Sequence, residues 1–321
     1  MLSRRKLKIS ISFVLLMFLS SMLPFFGNDL ITLGNINNSF HTDSDGDGVT
    51  DSLDPCPNSQ LEWTTHLVDP QVEGSEIALV LDSNDNPIIG YKNFVPLNSN
   101  FSSQLMISSS QTNNQSINFV ETVMQQSGSD EEGFKALSMT IDSNDTLYFS
   151  YRLIYWNGDI YIMHLHRDSF ANSLAQLDFS SVGTISGEAK GSSIDLDSNG
   201  NVYVAYYTGT SDQGLMIKSS VIDSGTWSQE LYDSWGNTGL NPSLSIDSSD
   251  IIHASYHKQG TGELRYFGGI GTETTVDNSA DVGYQSSLEL DANDNPHIAY
   301  SDSDNLNLKY AYKDNNWNIF T

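Results

Sequence analysis

The sequence is short of cysteine and of positive charge. Of its 321 residues only Cys56 is a cysteine, so neither an intramolecular disulfide framework nor a cysteine-based zinc cluster can be built. Lysine and arginine number 14 against 40 aspartates and glutamates. Four of those 14, Arg4, Arg5, Lys6 and Lys8, fall in the first eight residues, so the rest of the chain is strongly acidic. Such a body repels phosphate backbones and anionic membranes, which excludes nucleic-acid binding through a basic face. Helical periodicity is missing throughout, as are the Gly-x-Ser-x-Gly elbow, the phosphate loop and the His-Glu-x-x-His motif. Beyond the N-terminus no apolar run is long enough to cross a bilayer as a helix. The polarity comes largely from Ser, Asn, Gly and Thr, and 11% aromatic residues suffice to build a core. That texture belongs to an exported β protein.

Residues 1–26, MLSRRKLKISISFVLLMFLSSMLPFF, place a basic stretch ahead of an apolar run from Ile9 to Phe26. This is the pattern of a signal peptide or a short membrane anchor. No Ala-x-Ala cleavage site and no lipoprotein cysteine follow, so release and anchoring both stay open. The expectation is a secreted or cell-surface protein that meets the membrane only through this segment. Residues 27–42 read as a polar linker.

The sharpest motif is an acidic loop, Asp43-Ser-Asp45-Gly-Asp47-Gly48-Val49-Thr-Asp51-Ser-Leu-Asp54. Carboxylates at loop positions 1, 3, 5, 9 and 12, with glycine at 6, follow calcium-loop spacing. Calcium takes six to eight hard oxygens, and alternate side chains of a tightly wound loop converge on one point. The carbonyl of Val49 at position 7 can face inward. Without a cation, five carboxylates in twelve residues repel one another. The flanks carry no amphipathic helices, and Pro55-Cys56-Pro57 follows directly. The stretch DSDGDGVTDSLDPCPNS resembles a thrombospondin type 3 repeat, the D-x-D-x-D-G-x-x-D-x-x-D-x-C-P pattern, at every carboxylate. The resemblance implies a Ca²⁺ ion held by Asp43, Asp45, Asp47, Val49, Asp51 and Asp54, over a segment of 43–60. It departs from the family in being a single repeat whose Cys56 has no partner.

Downstream, one core recurs five times: LVLDSNDNPIIGY (79–91), MTIDSNDTLYFSY (139–151), IDLDSNGNVYVAY (194–206), LSIDSSDIIHASY (244–256) and LELDANDNPHIAY (288–300). Its aspartates are Asp82, Asp142, Asp197, Asp247 and Asp291. Nine residues after each stands a tyrosine: Tyr91, Tyr151, Tyr206, Tyr256 and Tyr300. Apolar residues alternate before each aspartate, and Asp-Ser-Asn-Asp/Gly is hairpin-turn chemistry. Third strands are expected at 104–110, 159–166, 214–220, 263–269 and 306–312. A fourth strand follows each, as SINFVETV, LAQLDFS, TWSQELYD, TETTVD and NWNIFT. Four antiparallel strands per 40–60-residue unit is the signature of a propeller blade. The segment LEWTTHLVD (61–69) resembles a further fourth strand. The fold class expected is therefore all-β, a β-propeller of about five four-stranded blades over 61–321. Because the chain stops inside a strand-like pattern, truncation at the C-terminus is one reading. The repeats resemble loosely those of exported propellers related to the sialidase-type superfamily.

Candidate chemistry is thin. The repeat aspartates are better explained as turn formers than as catalysts. His253 and His297 share a repeat position with Ile88, Tyr148 and Tyr203, which points to a packing slot. His164-x-His166 puts two imidazoles on one strand face but lacks a third ligand. Arg152, Arg167 and Arg265 fall at non-equivalent blade positions, and the S-x-D-x-G-x-T-W box of sialidases is missing. No catalytic residue is assigned and none is given a cofactor role. The leading expectation is an exported, calcium-binding, non-enzymatic propeller serving adhesion to a glycan or an extracellular protein. A carbohydrate-active propeller enzyme, glycosidase or lyase, is the alternative, and a structural module of a surface assembly the second.

Overall fold

In a computed structural model of the chain, the described residues run from 75 to 321, without Asp85, 98–99, 114–115, 128–133, 154–158, 166–177, 185–190, 209–213, 222–225, 234–236 and 270–272. The signal or anchor segment, the linker, the acidic loop and the 61–69 segment all lie outside them. Every regular element described is a β-strand.

The strands form five four-stranded sheets, each a simple antiparallel meander. The first holds β1 (Ser75–Leu81), β2 (Pro87–Leu97), β3 (Asn100–Asn113) and β4 (Ser116–Ser127). The second holds β5 (Phe134–Ile141), β6 (Leu147–Leu153), β7 (Asp159–Leu165) and β8 (Asp178–Thr184). The third holds β9 (Ser192–Leu196), β10 (Val202–Thr208), β11 (Gly214–Ser220) and β12 (Ser228–Asp233). The fourth holds β13 (Thr238–Ile246), β14 (Ile252–Lys258), β15 (Glu263–Gly268) and β16 (Glu273–Asp277). The fifth holds β17 (Val282–Leu290), β18 (Pro296–Asp302), β19 (Asn307–Lys313) and β20 (Trp317–Phe320). The fourth strand of the second unit, expected at LAQLDFS, begins only at Asp178 and runs on to Thr184.

The first strands of successive sheets pack side by side, β1 on β5, β5 on β9, β9 on β13 and β13 on β17. This is the propeller arrangement. Each first strand enters its Asp-Ser-Asn-Asp/Gly turn at the same repeat position, so all five turns gather at one end. The strand starts gather at the other.

The core lies between sheets, since the pleat sends alternate residues of each strand to opposite neighbours. Ala78, Ile88 and Ile107 of the first sheet cluster with Met139, Leu147, Phe149 and Tyr151 of the second. Tyr148 joins Ile194, Val202, Val204 and Tyr206. Leu215 and Ile217 meet Leu244, Ala254 and Tyr256, and Leu264 and Tyr266 meet Leu288, Ile298 and Tyr300. The five repeat tyrosines are all buried at equivalent positions, as the nine-residue offset requires.

Candidate functional site

At the turn end the repeat aspartates act as local acceptors. Oδ1 of Asp142 accepts the N–H groups of Asn144 and Thr146, both at 2.8 Å, and the same pair recurs at Asp82, Asp197, Asp247 and Asp291. Turn chemistry is thus their role. The next serine reaches across to the following sheet. Ser83 donates its N–H and hydroxyl, each at 2.7 Å, to the carboxylate of Asp145. Ser198 clasps Asp250 and Ser248 clasps Asp294 in the same way. Asp145, Asp250 and Asp294 sit at φ near +60°, a region aspartate tolerates. At the third sheet this position is Gly200, so no such clasp joins the second sheet to the third.

The slot shared by His253 and His297 is more polar than packing alone implies. Nε2 of His253 lies 3.1 Å from Asp247 Oδ2, and Nδ1 lies 2.5 Å from the Tyr266 hydroxyl. A carboxylate only accepts, so the neutral ring carries its proton on Nε2 and Nδ1 accepts from Tyr266. Tyr148 and Tyr203 likewise donate to Asp142 and Asp197, so the slot's polar tips brace the turn. Burial pushes the Tyr266 hydroxyl well above its ordinary value.

Between sheets, the repeat tyrosine hydroxyls find carboxylates at the end of the preceding sheet's outer strand. Tyr256 donates to Asp233 at 3.0 Å and Tyr300 to Asp277 at 2.8 Å. Lys309 Nζ lies 2.6 Å from Asp277. Burial raises the Asp277 carboxyl, but hydrogen bonds from Lys309, Ser279 and Tyr300 outweigh it and hold it at about 2.

The opposite end looks different. Six residues before each repeat aspartate stand Glu76, Ala136, Gly191, Asn241 and Gln285, and the first four have positive φ. The pairing register shifts here in β1, β5, β13 and β17, so the strand starts are bulged. A row of contacts links the bulges. Ala136 N–H donates to Glu76 Oε2 at 2.7 Å, and Ser192 Oγ donates to Ala136 O at 2.6 Å. A Cβ on Gly191 would stand 2.6 Å from Asn241 Cα. Asn241 Nδ2 donates to Tyr284 O at 2.6 Å. Tyr284 is 37% exposed and lies edge-on to His257, ring centres 5.7 Å apart. His257 Nδ1 donates to Val282 O at 2.9 Å, and Nε2 lies 3.6 Å from the half-exposed carboxylate of Asp281. Glu76 and Ala136, unlike the aspartates of the turns, are residue types that adopt positive φ at a cost, so their surroundings must hold them there.

The residues singled out in the sequence are placed as follows. Asp43, Asp45, Asp47, Val49, Asp51 and Asp54 lie outside the described residues, as do His166, Arg167 and Cys56. Among the described residues no group of three or more His, Cys, Asp or Glu could hold a metal ion. His164 is on β7, paired with Tyr148. Arg265 binds Glu263 and Thr275 within its own sheet rather than joining a clamp. Sequence reasoning missed Glu76, Asn241, Asp281 and Tyr284. The signal available was that residues six before the repeat aspartate break the repeat, with Gly191 and Asn241 both suited to positive φ.

No protein-family model matches this chain, and no curated protein does. Solved structures share its fold. An α-L-arabinanase from Penicillium chrysogenum, complexed with arabinobiose, is 12% identical, with a TM-score of 0.53 over 74% of this chain and 76% of that one. An α-L-arabinofuranosidase from Fusarium graminearum is 11% identical, with a TM-score of 0.52 over 77% and 80%. At such identity the likeness is one of fold, and the sialidase-type propeller resemblance agrees with it at that level. These similarities correct the expectation of a non-enzymatic adhesion module: the two proteins of similar fold named here are an arabinanase and an arabinofuranosidase.

Proposed function

We propose that this chain is an exported, carbohydrate-active propeller enzyme of glycosidase type, working at the bulged end of its first strands. The observation carrying the reading is that row of positive-φ bulges, which sets Glu76, Asn241 and Tyr284 at one end of the fold. The arabinanase and arabinofuranosidase of similar fold support a glycoside as the substrate. Glycoside hydrolysis uses two carboxylates, one as acid and one as base or nucleophile. Glu76 Oε2 accepts the Ala136 N–H at 2.7 Å, which fixes the carboxylate in place as the candidate base or nucleophile. Asp281, 3.6 Å from His257, is one of several further carboxylates at this end and the one we take as its partner. The five sheets serve as the blades that carry the row. Incubating the purified chain with arabinan, arabinobiose and a panel of unrelated polysaccharides should release reducing sugar from at least one. Glu76→Gln should lower kcat/KM on that substrate by about 100-fold or more. Release from none, or an unchanged rate in Glu76→Gln, overturns the reading.

The same reading places a Ca²⁺ ion in the loop at 43–54, on the side chains of Asp43, Asp45, Asp47, Asp51 and Asp54 and the Val49 carbonyl. The support is the donor set: five hard carboxylates around a glycine turn suit calcium and disfavour the tight octahedron of magnesium. Calcium binding stiffens the tether between export segment and propeller. Titration calorimetry should show one site in the full chain, weakened in both Asp45→Ala and Asp47→Ala.

A further inference from the structure

We propose that Leu306 and Tyr284 form an apolar platform at the bulged end and hold a neutral glycan there. The inference deepens the glycosidase reading and rests on it. Its starting point is a leucine in a place that suits neither its backbone nor its side chain. Leu306 closes the hairpin loop between β18 and β19, its φ is +55°, and it is 69% exposed. The equivalent residue of the fourth sheet, six after its repeat tyrosine, is Gly262 at φ +69°. Glycine is the ordinary choice for a left-handed position, because it has no Cβ to meet the following carbonyl oxygen. Leucine there is strained, and its exposed side chain gains nothing by burial. A residue unfavourable to the fold on both counts points to what it touches in a complex.

The hairpin holds Leu306 in this shape. Asp302, itself buried, accepts the N–H of Asn305 at 3.0 Å, and both its carboxylate oxygens take the Asn305 amide. Ser303 N–H donates to Asp281 O at 2.9 Å, and Asp281 N–H donates to Asp304 Oδ2 at 3.1 Å. Those two bonds tie the hairpin to the backbone of Asp281, the second carboxylate of the proposed pair. The Asp281 side chain leads on to His257 at 3.6 Å, and that ring to Tyr284. Leu306 and Tyr284 are thus connected through Asp281. Both present apolar surface at the end of the fold where hydrolysis is proposed, and the exposed Ile77 follows Glu76 there.

The chemistry of the occupant follows from these neighbours. A sugar ring carries hydroxyls at its edge and C–H groups on its faces. Setting a face against an aromatic ring or an aliphatic side chain takes apolar surface out of water. Acidic sugars are disfavoured, since Asp281 and Asp304 stand at this hairpin in a chain of net charge −26. Arg265 is taken up by Glu263 and Thr275, and Lys309 by Asp277. The ligand is therefore an uncharged glycan rather than a uronate or sulfated one.

Affinity electrophoresis of the full chain in gels containing arabinan, xylan, β-glucan, polygalacturonate or alginate tests this, alongside hydrolysis of the same polymers and thermal melts. At least one neutral polymer should retard the wild type, and neither acidic one should. Leu306→Asn, which suits positive φ, should raise the dissociation constant and KM about 10-fold with kcat little changed. Its melting temperature should stay equal or rise. Tyr284→Ala should weaken retardation likewise, and Tyr284→Phe, which keeps the ring, should restore it. A Leu306→Asn variant that binds like wild type, or that melts lower, overturns the proposal. So does a wild type retarded by no neutral polymer, or equally by the acidic ones. Glu76→Gln separates the two readings. If it leaves hydrolysis untouched while Leu306→Asn weakens binding, the catalytic assignment falls and the platform stands. If it abolishes hydrolysis while Leu306→Asn binds as wild type, the platform alone falls.

Discussion

Tyr256 and Tyr300 are held twice, by ring burial and by one hydroxyl bond to a buried aspartate. The two contributions separate by mutation. Tyr256→Ala should cost about 3–5 kcal/mol, the range for deleting a buried aromatic ring. Tyr256→Phe keeps the ring and leaves Asp233 with Thr238 as donor, so it should cost only about 1–2 kcal/mol. Urea denaturation of both variants measures the difference. Asp277 gives a pH signature of known sign. Its folded carboxyl is depressed to about 2, below the ordinary aspartate value. The stabilisation is fully present above about pH 4 and fades as pH falls through the folded value near 2. Asp277→Asn should therefore flatten that acid limb of the stability curve. Lys309→Met should destabilise at neutral pH, because a buried carboxylate loses its cation.

The turns and the strand starts differ in how far the sequence discloses them. Asp82 and its four counterparts declare a turn because the aspartate bonds its own backbone two and four residues on, a local matter that composition reveals. The tyrosine register is legible for the same reason, since burial at a fixed offset preserves residue type. The bulges at Glu76 and Ala136 are not legible, because an inserted residue shifts the pleat without demanding a particular side chain; only Gly191 and Asn241, suited to positive φ, hint at them. The clasps across sheets were hidden too, as Ser83 and Asp145 are 62 residues apart. One clasp is missing, and it can be supplied. Gly200 has φ +79°, and a Cβ there would meet nothing within 4 Å. Gly200→Asp should accept from Ser143 as Asp145 does from Ser83, leaving stability unchanged or raised by about 1 kcal/mol. Gly239→Ala should instead destabilise, because its Cβ would stand 2.5 Å from the Leu215 backbone. Thermal melts of the two variants should move apart.

Across the whole chain the repeat made the propeller legible, while the function was not, because a repeat reports what blades share and a site resides in what they do not. The five cores repeat evenly, as blades do; Glu76 and Asn241 lie where that pattern breaks. The division of the apolar core into four layers between sheets has a consequence for how the protein comes apart. Among the described residues each apolar cluster lies between neighbouring sheets, so each sheet's persistence depends on its immediate neighbours, as in an array of repeats. Among the described residues the second, third and fourth sheets pack on a sheet at either side, whereas the first and fifth pack on one. Native-state hydrogen exchange should then be graded along the chain, slowest for amides of β10 and β14 and fastest for β20, with opening that starts at the ends and travels inward.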